Sequence, residues 1–299
     1  MSLYVASTLT NVALISFLAL SAYLVLVVGE VSFGQQAFFG IGAYVTATVT
    51  AIFGGHVVVA LLLSTIAGGL AALLLAALVI RLSGLYFAIA SLCFAELLRL
   101  TLLRIRIPLE IDGRTTGMDG PEGFSNIRWI FENNFEVTDF LILTVLCLAA
   151  LLVLLFFFER TTIMLRARLV GKDAILAQSL GIRPAQYRLA FIGLSGMVAG
   201  FGGALFALFN THIEPQMFGV MLGVHALAYS IIGGLGAPLG PLIGVGIDIG
   251  LLESIRALSE YRMIAFGGLV AVLLILFPQG LLSPRVVNQL RARIWRRRV

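Results

Sequence analysis

Charged residues are scarce in this chain of 299 residues: only 12% are Asp, Glu, Lys or Arg, whereas 60% are hydrophobic. An ordinary soluble domain carries about 25% charged residues, so this chain has too few ionic side chains to cover a surface that faces water. Its two cysteines, Cys93 and Cys147, are too few to staple a disulfide scaffold. The composition therefore excludes a soluble domain, a disordered chain and a disulfide-rich scaffold, and it indicates a protein embedded in lipid.

Lysine is almost absent, because Lys172 is the only one among 20 basic residues and the others are arginines. The net charge of +5 would suit nucleic acid, but the arginines lie in loops and at the C-terminal end, which is how basic residues mark the cytoplasmic side of a membrane protein. No basic stripe is interleaved with aromatic residues, so nucleic acid is not an expected partner.

Signatures of enzymes, cofactors and metals are also missing. A phosphate-binding loop needs a glycine five residues before a Gly-Lys pair and a Ser or Thr after it, whereas Gly171-Lys172 has Arg166 before it and Asp173 after it. The three histidines are too far apart in the sequence to suggest a metal site. We therefore expect a chain that is not an enzyme and has no cofactor.

Long apolar segments predict the architecture. A membrane helix needs about 20 apolar residues, and backbone in lipid must satisfy its own hydrogen bonds. The sequence therefore predicts an all-α integral membrane protein, a polytopic bundle of about nine segments (eight to ten) in a single transmembrane domain over residues 1–299. The predicted segments are residues 8–28, 36–53, 57–80, 82–103, 140–158, 189–209, 221–232, 242–254 and 263–277.

The charges of the loops predict the orientation. Residues 104–139 carry a net charge of −3, residues 159–188 carry +4, and residues 284–299 contain six arginines and no acid. By the positive-inside rule, residues 159–188 and the basic tail are cytoplasmic and the acidic loop is external.

Glycine, 32 of 299 residues, clusters at two places that interrupt apolar segments. These are residues 29–36 and 233–241. Paired Gly- or Pro-interrupted helices in the two halves of a transporter point to its substrate site, because unwound backbone can line a cavity. Each cluster could equally be a tight loop at the membrane surface.

Small residues also recur at four-residue spacing, which lets two helix backbones approach closely. We expect these pairs to pack helices within the bundle rather than between subunits. The pairs are Gly196 with Gly200, Ala199 with Gly203, and Gly240 with Gly244.

Charged residues inside apolar segments are candidates for function. Glu96 and Arg99 are three residues apart, so they share a helix face and could pair. Alternatively, Arg99 could reach the outer interface and leave Glu96 alone. Asp248 lies deep in the eighth predicted segment. For all of these residues, structural pairing is favoured over contact with a substrate.

Four segments in order resemble the LivM-type membrane subunit of branched-chain amino acid ABC importers, and the resemblance covers nearly the whole chain. The family usually has His at the position of Gln35. The segments are residues 29–44 with Gly29, Ser32, Gly34, Phe38, Gly40, Gly42 and Tyr44; residues 81–96 from Arg81-Leu82-Ser83-Gly84 to Glu96; residues 177–182; and residues 233–240 with 277–281.

The resemblance implies half of a translocation pore with alternating access. Its partners would be a second permease subunit, either LivH-type or a second copy, two ATP-binding subunits and a periplasmic substrate-binding protein. The location would be the bacterial cytoplasmic membrane. The residues expected to border the pathway are Ser32, Gly34, Gln35, Phe38, Tyr44, Glu96, Gly233, Gly234 and Gly236.

Residues 177–182, the third of the four resembling segments, end the expected coupling helix, which would dock on the ATPase. Gly181 is expected to end this Ala-rich helix, which could otherwise lie on the membrane surface. The family commonly has Gly-Arg near Met164 and Leu165 and an acid at Gln178, so the charge contacts of this chain would differ. The coupling residues are Lys172, Asp173, Ala177, Gln178, Leu180 and Gly181.

Two transport functions are open at this point, and a non-transport membrane scaffold is a third alternative that explains neither the paired glycine clusters nor the Ala-rich loop. The first is the permease subunit of an importer driven by separate ATPases. The second is an ion-coupled secondary transporter that uses Glu96 and Asp248. The substrate is open as well, because relatives transport branched-chain amino acids, urea, short amides or aromatic acids.

Overall fold

The structure is a computed structural model that describes residues 3–111, 114–127, 129–132, 135–252 and 262–282. The basic tail therefore lies outside the described residues. The helices are α1 (Leu3–Val27), α2 (Gln35–Ala47), α3 (Val57–Val79), α4 (Leu85–Arg104), α5 (Trp129–Glu132), α6 (Val137–Glu159), α7 (Thr162–Lys172), α8 (Ala174–Ser179), α9 (Pro184–Asn210), α10 (Val220–Gly233), α11 (Leu239–Val245) and α12 (Arg262–Leu276). The strands are β1 (Arg106–Ile111), β2 (Arg114–Asp119) and β3 (Phe124–Ser125).

Each of the nine predicted apolar segments coincides with a helix in its described part. Helix α2 continues as a π-helix over Thr48–Ile52, and α11 continues as a π-helix over Gly246–Leu252. Within the described residues, five helices are long and apolar enough to cross a membrane, namely α1, α3, α4, α6 and α9. Helices α10, α11 and α12 are apolar but shorter, so nine membrane crossings are not confirmed.

Helices α1 and α9 form the centre of the bundle. In their most apolar windows, 78% and 61% of the residues are buried, against 22–28% for α3, α4 and α6. The outer helices therefore present apolar side chains outward, for example Leu78 of α3 and Leu154 of α6. This arrangement suits lipid, because an apolar outer face gains nothing from water.

Glycines let α2 and α3 approach α9 until their backbones touch. A Cβ atom at Gly196 would lie 2.5 Å from the carbonyl oxygen of Gly68, and one at Gly42 would lie 2.0 Å from that of Gly200. Likewise, a Cβ at Gly244 would lie 2.3 Å from the carbonyl oxygen of Tyr229 in α10. The small-residue pairs pack helices within the chain, as predicted.

The acidic segment contains a sheet, which corrects the prediction of an all-α protein. β1 pairs antiparallel with β2, from Arg106 opposite Asp119 to Ile111 opposite Arg114, and β2 pairs with β3. Hydropathy finds long apolar helices, and the alternation of Ile107, Leu109 and Ile111 along β1 is too short to register as such a segment.

The sheet is tied to the chain that follows α9. The Phe124 N–H donates to the Ile213 carbonyl at 2.8 Å, and the Ile213 N–H donates back at 3.1 Å. Helix α9, about 40 Å long, begins beside α8 and ends at this contact. The acidic and basic segments therefore lie at opposite ends of the bundle, which we term the sheet end and the α8 end. Which end faces the cytoplasm remains a prediction.

Candidate functional site

The first glycine-rich cluster forms an extended segment between α1 and α2, residues 28–34, which we term the first break. The N–H groups of Val28, Gly29 and Glu30 still donate to carbonyls in the last turn of α1, whereas those nearer α2 bond to side chains. The Gly34 N–H donates to Ser32 Oγ at 3.1 Å, and the Phe33 N–H donates to Ser91 Oγ of α4 at 3.0 Å.

Helix α2 begins inside the bundle. Its first residue, Gln35, accepts a hydrogen bond through Oε1 from Ser21 Oγ of α1 at 3.1 Å and lies 3.5 Å from Ser195 Oγ of α9. Ser195 is about 16 Å from the start of α9, at 1.5 Å per residue. The first break therefore runs from the α8 end into the interior, rather than closing as a surface loop.

Three buried side chains of α2 carry polar atoms without a hydrogen-bond partner among the described residues. These atoms are Gln35 Nε2, both polar side-chain atoms of Gln36, and Tyr44 Oη. The three residues are at most 4% exposed, and an unsatisfied buried polar group costs about 1–3 kcal/mol. Helix α2 thus holds donors and acceptors that another arrangement of the helices, or a polar solute, can satisfy.

Aromatic rings pack around α2. Phe38 is fully buried, with its ring centroid 6.1 Å from that of Phe94 in α4. The Tyr44 ring meets Phe218 edge-on at 6.0 Å. The predicted pathway residues of the first break and α2 are therefore packed inside the bundle in this conformation.

The second glycine-rich cluster forms a compact connection between α10 and α11, residues 234–238, which we term the second break. Gly234 adopts a φ of +90°. A Cβ atom at Gly233 would lie 1.9 Å from the carbonyl oxygen of Gly240, so the two helix ends touch. The segment after α12 bonds to this connection, because the Gly236 N–H donates to the Leu282 carbonyl at 2.9 Å.

The predicted coupling segment folds as α7 and α8 joined at one residue. Asp173 caps α8, because its Oδ1 accepts hydrogen bonds from the Ile175 and Leu176 N–H groups at 3.0 and 2.9 Å. Gly181 adopts a φ of +77° after the last turn, so it ends the helix as predicted.

Helix α8 exposes apolar side chains at the end of the bundle. Ile175 is 80% exposed and Leu180 is 64% exposed, while Ala177 faces inward and is fully buried. Lys172 and Gln178 are exposed. An open cleft of about 690 Å³ lies beside α8 and is lined by Ile80, Gln178, Gly181, Ile182, Arg183, Pro184, Ala185, Gln186 and Arg188.

Arg168 of α7 joins three other elements. Its Nη2 donates to Glu159 Oε1 at the end of α6 at 2.7 Å and to Tyr23 Oη of α1 at 3.0 Å. Its Nη1 donates to the carbonyl oxygen of Leu235, in the second break, at 2.9 Å. Tyr23 is fully buried and donates to Glu159 at 2.7 Å.

The first break also touches α7. Gly29 has a φ of +79°, and a Cβ atom there would lie 2.7 Å from the carbonyl oxygen of Gly171. A Cβ at Gly171 would in turn lie 2.3 Å from the carbonyl oxygen of Val27. The two backbones meet directly, so any side chain at either position would push α7 away from the break.

The Glu30 side chain binds the first break to neighbouring elements at the α8 end. Its carboxylate is 1% exposed, accepts a hydrogen bond from the Gly84 N–H at 3.0 Å, and lies 3.0 Å from Arg188 Nε. Burial raises the pKa of Glu30 above its ordinary value, and the Gly84 amide and the Arg188 charge oppose that rise. The carboxylate thus connects the break, the turn before α4 and the first turns of α9.

The two intramembrane acids have partners. Arg99 Nε donates to both oxygens of Glu96, at 3.1 and 3.0 Å, so these residues pair as the sequence suggested. Asp248 Oδ2 accepts a hydrogen bond from Tyr229 Oη. Glu96 lies on the outward face of α4, whereas Ser91 on the opposite face meets the first break. The structure therefore does not bring Glu96 together with the other predicted pathway residues.

Comparison with known proteins shows the family to which the chain belongs. Residues 4–278 match the family described as the branched-chain amino acid transport system permease component. The chain belongs to this family. It is 31% identical over 274 residues to the high-affinity branched-chain amino acid transport system permease protein LivM of Salmonella typhimurium strain LT2, covering 85% of this chain and 64% of that protein.

Two further relatives are a second LivM protein and a LivH protein. The Escherichia coli K12 LivM protein is 31% identical over 297 residues, covering 92% of this chain and 69% of that protein. The Salmonella typhimurium LivH protein is 25% identical over 166 residues, covering 53% of each chain. The chain thus spans about two thirds of the length of the LivM proteins that it matches. No solved structure matches it.

Several residues of this permease component that join its elements were not identified from the sequence. Arg168 was counted only as a loop charge, and Glu30 only as part of a polar stretch. One signal was available for Tyr23, which is a polar aromatic residue within an uncharged apolar segment, because a buried tyrosine hydroxyl usually requires a partner.

Proposed function

We propose that this chain is a membrane-spanning permease subunit of a bacterial ABC importer in the cytoplasmic membrane. It forms half of a translocation pathway, with alternating access, for branched-chain amino acids or a related small solute. The family membership over residues 4–278 carries this proposal. The two interrupted helices, both connected to the α8 end, support it as parts that can repack.

The partners follow from the two ends of the bundle. A second permease subunit, LivH-type or a second copy of this chain, completes the pathway. Two ATP-binding subunits bind at the basic α8 end, which faces the cytoplasm, since basic segments mark that side. A periplasmic substrate-binding protein delivers the solute at the acidic sheet end, near residues 104–139.

Helix α8 is the coupling helix in this proposal. Its exposed Ile175 and Leu180 form an apolar contact for the ATPase, and Lys172, Asp173, Gln178 and Gly181 surround that contact. The 690 Å³ cleft beside α8 leaves room for a segment of the partner. A helix that only lay on the membrane would need no such cleft.

The pathway lies along α2 and the two breaks. The unsatisfied polar atoms of Gln35, Gln36 and Tyr44 cost free energy in the closed state. An open state in which water or solute reaches them regains that energy, so substrate binding favours opening. Ser32, Gly34, Phe38, Gly233, Gly234 and Gly236 border this path.

Glu96 faces the second permease subunit or the pathway between the two subunits. The side chains of Glu96 and Arg99 are 36% and 23% exposed on α4, about 12 Å and about 8 Å from its outer end at 1.5 Å per residue. Charged groups at such depth almost always face protein or a water-filled cavity rather than lipid. The outward face of α4 is therefore covered in the assembled transporter.

Reconstitution tests the proposal. The chain is purified alone, and also with a second permease subunit and two ATPases encoded by the same organism, and each sample is placed in liposomes. We expect ATP-dependent uptake of labelled leucine, isoleucine or valine only in the complete complex with the binding protein. Failure of the ATPases to associate with the chain would refute the proposal.

The same experiment separates the second candidate function. An ion-coupled transporter using Glu96 and Asp248 would accumulate solute with the chain alone, driven by a proton or sodium gradient. Because Glu96 is paired with Arg99 and Asp248 with Tyr229, we expect no gradient-driven uptake by the isolated chain.

A further inference from the structure

We infer that Arg168 is a positioning residue of α7. When the coupling helix α8 moves, α7 moves with it, and Arg168 helps transmit that motion to the two helix breaks. This inference rests on the proposed function and adds to it the residues that connect α8 to the pathway.

Helices α7 and α8 are joined directly, because the single residue between them ends one and caps the other. Thr161 Oγ1 accepts a hydrogen bond from the Met164 N–H at the start of α7. Asp173, which ends α7, also caps α8, and the Asp173 N–H donates to the Leu169 carbonyl at 2.9 Å. With one residue between the two helices, a displacement of α8 by a partner displaces α7 as well.

The guanidinium of Arg168 fixes α7 to the second break. Its fork bonds Glu159 and Tyr23 through one nitrogen and the Leu235 carbonyl through the other. Glu159 is 5% exposed, so this charge needs its partner. Leu235 lies in the turn between α10 and α11, outside both helices, so a pull on its carbonyl acts on the break directly.

A separate contact fixes α7 to the first break. Gly171 and Gly29 meet backbone to backbone, closer than any side chain would permit. Since Arg168 and Gly171 are neighbouring positions on one face of α7, the same short helix touches both breaks. No other helix among the described residues is joined to α8 through so short a connection.

The test compares coupled uptake in proteoliposomes that contain the complete transporter. Arg168→Lys keeps the positive charge beside Glu159, but a single ammonium cannot also reach the Leu235 carbonyl with the fork geometry of arginine. Arg166→Lys on the exposed face of the same helix is the matched control. The readouts, from the same vesicles, are solute taken up and ATP hydrolysed.

We expect Arg168→Lys to assemble with the ATPases and hydrolyse ATP, while uptake per ATP falls about tenfold or more, in line with the loss of a hydrogen bond from a charged donor. Arg166→Lys should match the wild type. Unchanged uptake per ATP in Arg168→Lys would overturn the inference. Failure of the wild-type chain to bind ATPases would instead refute the proposed function.

Two further variants keep the inference testable if Arg168→Lys is poorly folded. Tyr23→Phe retains the buried ring and removes only the hydroxyl that bonds Arg168 and Glu159, and we expect a smaller loss of uptake per ATP. Gly171→Ala inserts a methyl group 2.3 Å from the Val27 carbonyl and should also uncouple. Gly267→Ala is its control, because no described residue outside the local helix backbone lies within 4 Å of a Cβ atom there. Wild-type coupling in both variants would overturn the inference.

Discussion

Replacing Gly200 with alanine tests the backbone packing that holds α3 against α9. A Cβ atom at Gly200 would lie 2.5 Å from the carbonyl oxygen of Ser64 and 3.1 Å from Gly68 Cα. An ordinary carbon–oxygen contact begins at about 3.3 Å, so the two helices must separate by roughly 0.8 Å. A gap of that size forfeits about a quarter to a half of the dispersion energy across the contact.

The expected cost follows from two opposing effects. Overpacking a well-filled interface costs about 1–3 kcal/mol, whereas alanine gains up to about 1 kcal/mol over glycine in a helix interior. Because the clash is with backbone atoms, which cannot rotate away, the upper part of the overpacking range, about 2–3 kcal/mol, applies. Less about 1 kcal/mol of helix propensity, the free energy of unfolding of Gly200→Ala should fall by about 1–2 kcal/mol. At about 2–4 °C for each kcal/mol, the midpoint of thermal unfolding should fall by roughly 2–8 °C.

The assay is thermal unfolding of the detergent-purified chain followed by circular dichroism. Gly267→Ala supplies the matched control, because within the described part of the chain only its own helix lies within 4 Å of the added methyl group, so the gain in helix propensity remains. The two variants should shift the midpoint in opposite directions. Equal midpoints for Gly200→Ala and Gly267→Ala would show that α3 and α9 are not packed as described.

Three further predictions concern the site. Gly181→Val should abolish uptake while leaving membrane insertion intact, because a φ of +77° costs a β-branched residue about 1–2 kcal/mol, whereas Gly181→Asn should retain uptake. In a double-mutant cycle of uptake, Glu96→Gln and Arg99→Gln should be coupled by about 1 kcal/mol or more; additive effects would show that the two charges act separately. Because the pKa of Glu30 is raised by burial, its contribution to folding is present below the ordinary pKa of 4.5 and is lost as pH rises through the raised value. The unfolding midpoint of the wild type should therefore fall relative to that of Glu30→Gln, whose side chain stays uncharged, as the pH rises from 4.5 to 7.5, and a constant difference would contradict the burial of this carboxylate.

Much of the helical framework could be predicted from the sequence because membrane helices depend on local composition. Every predicted apolar segment overlaps a helix, and the four-residue spacing of Gly196 and Gly200 correctly indicated packing within the chain. Gly181 ended its helix as predicted, because a left-handed residue after the last turn has a strong preference for glycine.

The β-sheet and the depth of the first break could not be predicted in this way. The three strands are short, and although Ile107, Leu109 and Ile111 alternate along β1, the attachment of the sheet to the bundle depends on a bridge between Phe124 and Ile213, almost 90 residues further along the chain. Likewise, the position of Gln35 inside the bundle depends on Ser21 and Ser195, which lie on two other helices. Such contacts leave no local periodicity to read.

The roles of individual charged residues were the feature predicted least completely from the sequence. Counting arginines by loop placed Arg168 among charges that only mark a membrane side, yet its fork bonds a buried glutamate, a buried tyrosine and the backbone of a break. Arg166, two residues earlier, is exposed and fits the counting rule. Both residues contribute equally to the positive-inside signal, so that signal cannot distinguish them. What distinguishes them is the face of α7 that each occupies. The inward face requires a partner for every charge, and the nearest partners are the very segments whose movement transport requires.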